Sequence, residues 1–135
     1  MRFETFEPQH LGEVVRLCVT EGWMSYADPA IALRALTAAG SIAVVAVEEN
    51  GSVVGFVQLQ SDSVVHAHVS NILVAAPHRQ ARIGRGLLEE AFARSGARYL
   101  DLVSTEGADD FYRSFDHKEF RGFRLYLRRV KTVRR

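Results

Sequence analysis

The sequence predicts an α/β fold, an α+β mixed sheet flanked by about four helices. Three observations carry that expectation. Stretches of helical period are interspersed with β-branched runs, Asn50-Gly51 sits between two of those runs, and the apolar run ending at Val74 leads through a basic loop into a helix opened by glycine.

Taken in order, residues 2–6 alternate as a short strand that Pro8 stops. Over 9–19, Leu11, Val14, Val15, Leu17 and Cys18 fall at helical spacing, and Gly22 ends the helix. Asp28 before Pro29 is an N-cap followed by proline at the first helical position, so a second helix runs to Ala39 and closes at Gly40. Residues 41–47 form a strand, Asn50-Gly51 reverses the chain, and 53–59 return. A third, longer strand covers 64–74. A helix over 84–95 is capped by Gly96, and a buried strand follows at 99–103. A short helix at 108–115 and one or two strands over 120–130 complete the chain. No repeat and no Ser/Gly-rich linker divides it, so 1–135 is expected to be a single domain.

Composition narrows the class. With 47% apolar and 24% charged residues, the chain is neither disordered, collagen-like nor a coiled coil. No apolar run approaches the ~20 residues a bilayer requires. The start, MRFETFEP, has no signal-peptide character, and the one cysteine excludes an internal disulfide and a thiolate metal cluster; a cytoplasmic location is expected. Charge is unevenly spread. Residues 1–76 carry three basic against eight acidic side chains, whereas 77–135 carry fourteen against eight, which suggests an anionic partner for the second half.

The stretch NILVAAPHRQARIGRGLLEEAF, residues 71–92, is the most informative. Unpaired N–H groups and the dipole at a helix start attract anions, glycine admits close approach, and Arg79, Arg82 and Arg85 add permanent charge. The loop is neither a P-loop nor a dinucleotide-binding G-x-G-x-x-G. It resembles the acyl-CoA-binding motif of the GNAT superfamily of N-acyltransferases, with Val74, Arg79, Ile83-Gly84-Arg85-Gly86 and Leu87-Leu88 in matching positions. Arg82 stands where that motif has its first glycine, and Gln80 where it has another. A side chain at Arg82 costs little if its φ is negative. A second segment, GADDFYRSFDHKEFRGFRLYLRR, resembles the superfamily's A-x-x-F-Y signature through Ala108, Phe111 and Tyr112.

The resemblance implies a GNAT-like fold with a central, mostly antiparallel sheet splayed at the cofactor site, acetyl-CoA as co-substrate without a metal, and an amine acceptor. It implies contacts to CoA from Leu73, Val74, Arg79, Gln80, Ala81, Arg82, Ile83, Gly84 and Arg85, with Thr105 where the superfamily favours a pantetheine-binding Asn. A backbone N–H of Leu73 or Val74 would face the thioester oxygen, and Tyr112 would protonate the leaving thiolate. His68 falls where some members carry a catalytic Glu, and histidine is a workable base. Strand parity, without a bulge, puts His66, His68, Ser70, Ile72 and Val74 on one face. Trp23, Tyr26 and His66 are candidate acceptor-lining residues, with Glu21 and Asp28 favouring a cationic amine. Two histidines without a third ligand do not signal a metal site. Cys18 reads as core.

Two other readings stand beside this one. Phe120, Phe123 and Tyr126 interleave with Arg121, Arg124 and Arg128, as in a nucleic-acid-binding module spanning 113–135, although a final strand would give the same alternation with its aromatics buried. Arg82 and Thr105, which depart from the motif, fit a non-catalytic acyl-CoA-sensing domain of the same fold. No membrane partner is expected, and members of the superfamily often form homodimers.

Overall fold

The β-branched runs assemble side by side into the sheet. The computed structural model describes residues 1–79 and 81–129 and divides the chain into two units, Met1–Asp101 and Leu102–Arg135. In chain order the first unit holds β1 (Arg2–Thr5), α1 (Leu11–Thr20), α2 (Pro29–Leu36), β2 (Ser41–Val47), β3 (Val53–Ser61), β4 (His66–Val74), α3 (Ile83–Ser95) and β5 (Tyr99–Asp101). Single 3-10 turns at Pro8–His10, Met24–Tyr26 and Ala76–His78 link them. The sheet order is β1-β2-β3-β4-β5, with antiparallel pairing through β4 and a parallel β4–β5 pair.

Local signals act as the sequence suggests. Asp28 accepts hydrogen bonds from the N–H groups of Ala30 (2.9 Å) and Ile31 (3.4 Å), with Pro29 opening α2. The helix stops at Leu36, short of the expected Ala39. Gly51 takes φ +89° in the β2–β3 turn, a conformation closed to most side chains, and the Asn50 side chain accepts the Ser52 N–H at 2.9 Å.

Two apolar layers enclose the sheet. One face, with Ala43, Val45, Val47, Phe56 and Leu73, packs against Val14, Leu17 and Cys18 of α1 and Ala32 and Leu36 of α2. Each fully buried Leu or Val contributes roughly 1.5–3 kcal/mol. Cys18 is 1% exposed, and burial pushes its thiol up to about 11. Against the other face lies α3 through Ile83, Leu87, Leu88 and Ala91. Phe3 fills the place that a side chain at Gly86 would need.

Register changes the expected parity of β4. Gln58 pairs with Asn71, yet Leu59 pairs with Val69, so Ser70 is an unpaired bulge residue. His66 and His68 consequently share a face with Asn71 and Leu73, while Ile72 and Val74 turn to the α3 side. Two adjacent polar residues, Ser70-Asn71, are the point at which the alternation slips.

Expectations for the chain's end differ more. β5 is three residues long and its Tyr99 and Asp101 are exposed, because β4 is its one sheet neighbour among the described residues. The second unit contains α4 (Asp109–Arg113) and no strand over 120–129; a strand exists through its ladder, and no described residue pairs with this segment. Phe120, Phe123 and Tyr126 are 74%, 75% and 86% exposed, so the aromatics are not buried as a final strand would bury them. Gln80 and the basic residues beyond Arg129, both part of the sequence expectations, lie outside the described residues.

Candidate active site

The bulge and the short β5 together divide β4. His66, Ala67 and His68 pair with Tyr99, Leu100 and Asp101, and beyond His68 the strand is bonded to β3 alone among the described residues. One edge of β4 is therefore open from Val69 onward. Ala75 donates its N–H to Val54 O of the β3 side at 2.8 Å, and alternation along the strand turns the N–H and C=O of Val74 toward the open edge. Arg79 occupies that edge from one side: its Nε donates to Val74 O at 3.2 Å, and its Nη2 donates to Glu21 Oε1.

The strand continues through Ala75, the turn Ala76–His78 and an extended Arg79 to Ala81 and Arg82, both exposed. Arg82 precedes α3 at φ +62°, ψ +16°, the left-handed region, so the condition under which a side chain costs little there is not met. A side chain there is strained by about 1–2 kcal/mol relative to glycine. The motif's glycine position thus keeps glycine's conformation without glycine. α3 carries no side-chain cap and no acidic residue in its first turn, so the N–H groups of Ile83 and Gly84 at its start meet no first-turn carboxylate. Arg85 reaches Glu89 at 3.6 Å.

The other face of the sheet holds polar side chains in a row. Ser41, Gln60, His68 and Asp101 are successive cross-strand partners on β2, β3, β4 and β5. Ser41, Gln60 and His68 border a cleft of about 510 Å³ that His66, Ser61, Asp62 and residues 38–40 also line. His66 Nε2 lies 3.0 Å from Asp101 Oδ2, whereas the His68 ring has no such partner among the described residues. Asp62 accepts the N–H groups of Val64, Val65 and His66 on one oxygen, and these bonds hold its carboxyl below the usual range. The cleft lies past the C-terminal, partially negative end of α2 and counts Asp62 but no Lys or Arg among its lining residues.

Trp23 and Tyr26, expected beside an acceptor, pack against the core cluster. The Tyr26 hydroxyl donates to Gln58 Oε1; burial raises its pKa, and a hydrogen bond from Asn71 opposes that rise. Gln58, 1% exposed, spends its amide N–H groups on Ala35 O (2.9 Å) and Ser41 Oγ (3.0 Å). It thereby fixes the rim of the cleft, and an unsatisfied amide there would cost about 1–3 kcal/mol. Sequence reasoning passed over Gln58, Asn71 and Asp101; a lone glutamine in the run VVGFVQL was the available signal. Asp28 and Glu21, expected to draw in a cation, are engaged as a helix cap and as the partner of Arg79.

Thr105 and Tyr112 belong to the second unit. Thr105 is exposed and accepts the Ala108 N–H on its carbonyl at 3.0 Å. Tyr112 is half-buried on α4, its ring 5.1 Å from that of Phe111, and burial raises its hydroxyl above the ordinary value near 10. Among the described residues no His/Cys/Asp/Glu group is disposed to hold a metal, and no helix is long and apolar enough to cross a membrane.

Comparison with known proteins accords with this arrangement. An acetyltransferase from Trypanosoma brucei has a TM-score of 0.74 at 20% identity, over 93% of this chain and 99% of that one. AAC(6')-Iy in complex with the bisubstrate analogue CoA-S-monomethyl-acetylneamine gives 0.75 at 15% identity, over 96% and 98%. Glucosamine-6-phosphate N-acetyltransferase from Arabidopsis thaliana gives 0.70 at 12%, over 93% and 97%. At these identities the likeness is one of fold. No curated protein sequence matches the chain. The acetyltransferase (GNAT) domain family matches residues 40–119, from the start of β2 through α4, more than half of the sequence. With the parted sheet edge feeding an uncapped helix start, this match establishes that the chain belongs to the GNAT family and is an acyl-CoA-dependent N-acetyltransferase.

Proposed function

We propose that the enzyme transfers the acetyl group of acetyl-CoA to a primary amine, on a small molecule or a protein, by direct attack within a ternary complex. The observation that carries this reading is the β4 edge, open beyond His68 among the described residues and followed by a helix start that lacks both a side-chain cap and a first-turn carboxylate. These residues fit the diphosphate of CoA: the amides of Ile83 and Gly84 with the side chain of Arg82 would hold it, beside Ala81 and Arg85. Leu73 and Val74 would flank the thioester and Thr105 the pantetheine arm. When bound, acetyl-CoA supplies an activated acyl carbon and a thiolate leaving group.

The chain's own groups then divide the work. The Val74 N–H points out of the open edge, where one such donor stabilises a developing oxyanion by about 2.7–4 kcal/mol. An alkyl ammonium costs about 4.6 kcal/mol to deprotonate at pH 7. His68, six residues before Val74 along β4, takes that proton through water, while His66, held by Asp101, helps seat the acceptor. The negative surroundings of the cleft favour an amine. Tyr112, kept protonated by its raised pKa, is the proton donor to the leaving sulfur. A single deeply buried thiol is compatible with a cytoplasmic setting.

Calorimetric titration with acetyl-CoA, with dephospho-CoA and ATP as controls, is the test. Micromolar affinity is expected; absence of binding up to millimolar ligand overturns the reading. His68→Ala is then expected to lower kcat about 10²–10⁴-fold with acetyl-CoA affinity unchanged. Phe120, Phe123, Leu125, Tyr126 and Leu127 expose a run that pairing between two copies would cover. Interleaved with Arg121, Arg124 and Arg128, the same run favours a second reading, single-stranded nucleic-acid binding. A dimeric mass in solution supports the first, and nucleic-acid affinity that falls steeply with salt supports the second.

A further inference from the structure

Arg79 and Glu21 lie 58 residues apart in sequence and belong to different parts of the site. Glu21 follows the last residue of α1, its own N–H bonded to Leu17 O at 3.0 Å, and leads into the turn that carries Tyr26. Arg79 closes the turn after β4. Its guanidinium folds back five residues to the Val74 carbonyl while a second nitrogen takes the Glu21 carboxylate, whose side chain is 19% exposed. Through Val74, the contact touches the same stretch of backbone whose N–H faces the open edge. Through Glu21, it reaches the segment whose Tyr26 is tied to Gln58 at the cleft.

We propose that the Glu21–Arg79 pair is a latch that orients the Val74 backbone and ties the cofactor loop to the end of α1, which makes Arg79 a positioning residue acting through Val74. The inference rests on the reading of Val74 N–H as the oxyanion donor. Two features distinguish a latch from a phosphate ligand. Arg79 spends two nitrogens on protein groups, one of them a carbonyl that β3 does not use. Its carboxylate partner is largely withdrawn from water, so screening is weaker than for a surface pair.

Hydrogen exchange read by mass spectrometry tests the latch without any ligand. In the free protein, Glu21→Gln is expected to speed exchange over residues 75–84, and Arg79→Gln over 21–28, each by about two- to fivefold, the range of a partly buried ion pair. The reversed pair, Glu21→Arg with Arg79→Glu, is expected to restore protection in both segments. Exchange that changes around the substituted residue alone, or a reversed pair no better than the single variants, overturns the proposal.

Kinetics then separates positioning from binding. Arg79→Gln is expected to lower kcat by about tenfold to a hundredfold, as for a small misplacement of a reacting group, with the dissociation constant for acetyl-CoA little changed. The loss should be equal with S-acetylpantetheine, which has no nucleotide phosphates. The reversed pair should not recover kcat, because a carboxylate at position 79 cannot donate to the Val74 carbonyl. A variant that weakens acetyl-CoA binding, keeps kcat and handles the phosphate-free thioester normally would instead make Arg79 a phosphate ligand. Wild-type titration with acetyl-CoA decides the acetyl-transfer reading separately, since the exchange measurements do not depend on it.

Discussion

From His66 to His68, β4 is bonded to a strand on either side; from Val69 to Val74 it is bonded to β3 alone among the described residues. The first half presents its side chains: two imidazoles on one face, one held by Asp101 and the other turned into the cleft. The second half presents its backbone, with Val74 facing an edge that Arg79 partly fills. A fully paired strand has no polar backbone group to spare, so whatever chemistry it offers must come from side chains. A strand released on one side has N–H and C=O groups left over, and residue identity matters less there. The Ser70 bulge sits between the two halves and sets them in phase, so that His68 and Leu73, not His68 and Val74, share a face.

Shifting the phase between the halves is the harshest way to break this division. Inserting one alanine between His68 and Val69 forces one half of β4 out of register, sending either both histidines to the α3 side or Ile72 and Val74 away from it. Cooperative thermal unfolding, followed by circular dichroism, is expected to disappear. A midpoint within a few degrees of wild type would mean that the strand tolerates either phase. Gly55→Ala acts on the second half alone. A methyl group there would sit 2.9 Å from Leu73 O and 3.2 Å from Leu87 Cδ1, so β4 must move. Stability should fall by about 1–3 kcal/mol in denaturant unfolding, and kcat should fall with it.

Arg82→Gly tests the loop into which the second half runs. Relief of the left-handed backbone should add about 1 kcal/mol and raise the melting temperature. Should titration with acetyl-CoA show weaker binding from this more stable variant, the guanidinium holds phosphate; tighter binding would mean that its side chain is dispensable. The smallest effect concerns the turn entering the first half. The folded pKa of Asp62 is depressed below its ordinary 3.8, so its contribution is present above that value and lost as pH falls through the folded pKa. Melting curves between pH 6 and pH 2.5 should show this component in wild type and lack it in Asp62→Asn.

Much of the first unit was legible in the sequence because its signals are chemical. Asp28-Pro29 starts a helix, Asn50-Gly51 turns a hairpin and Gly96 ends α3 through properties that those residues carry everywhere. The basic loop before α3 announced itself in the same way. What escaped was conformational. Nothing in an arginine signals φ +62°, since its neighbours impose that geometry. The bulge left a faint trace in Ser70-Asn71, but a strict alternation had to be abandoned to see it. At the end of the chain, alternating aromatic and basic residues fit a strand well, yet strand formation needs a partner as well as a pattern, and among the described residues none is supplied.

The position of Cys18 has an experimental use. It is the chain's one thiol, 1% exposed beneath α1, with its pKa pushed up to about 11. A thiol-reactive dye will therefore ignore the closed protein and modify molecules whose first helix has lifted from the sheet. Labelling rate becomes a clock for that opening in the unaltered sequence. Because Glu21 lies three residues farther along and is fastened to Arg79, slower labelling on addition of acetyl-CoA would time how tightly the cofactor loop holds the opposite layer closed.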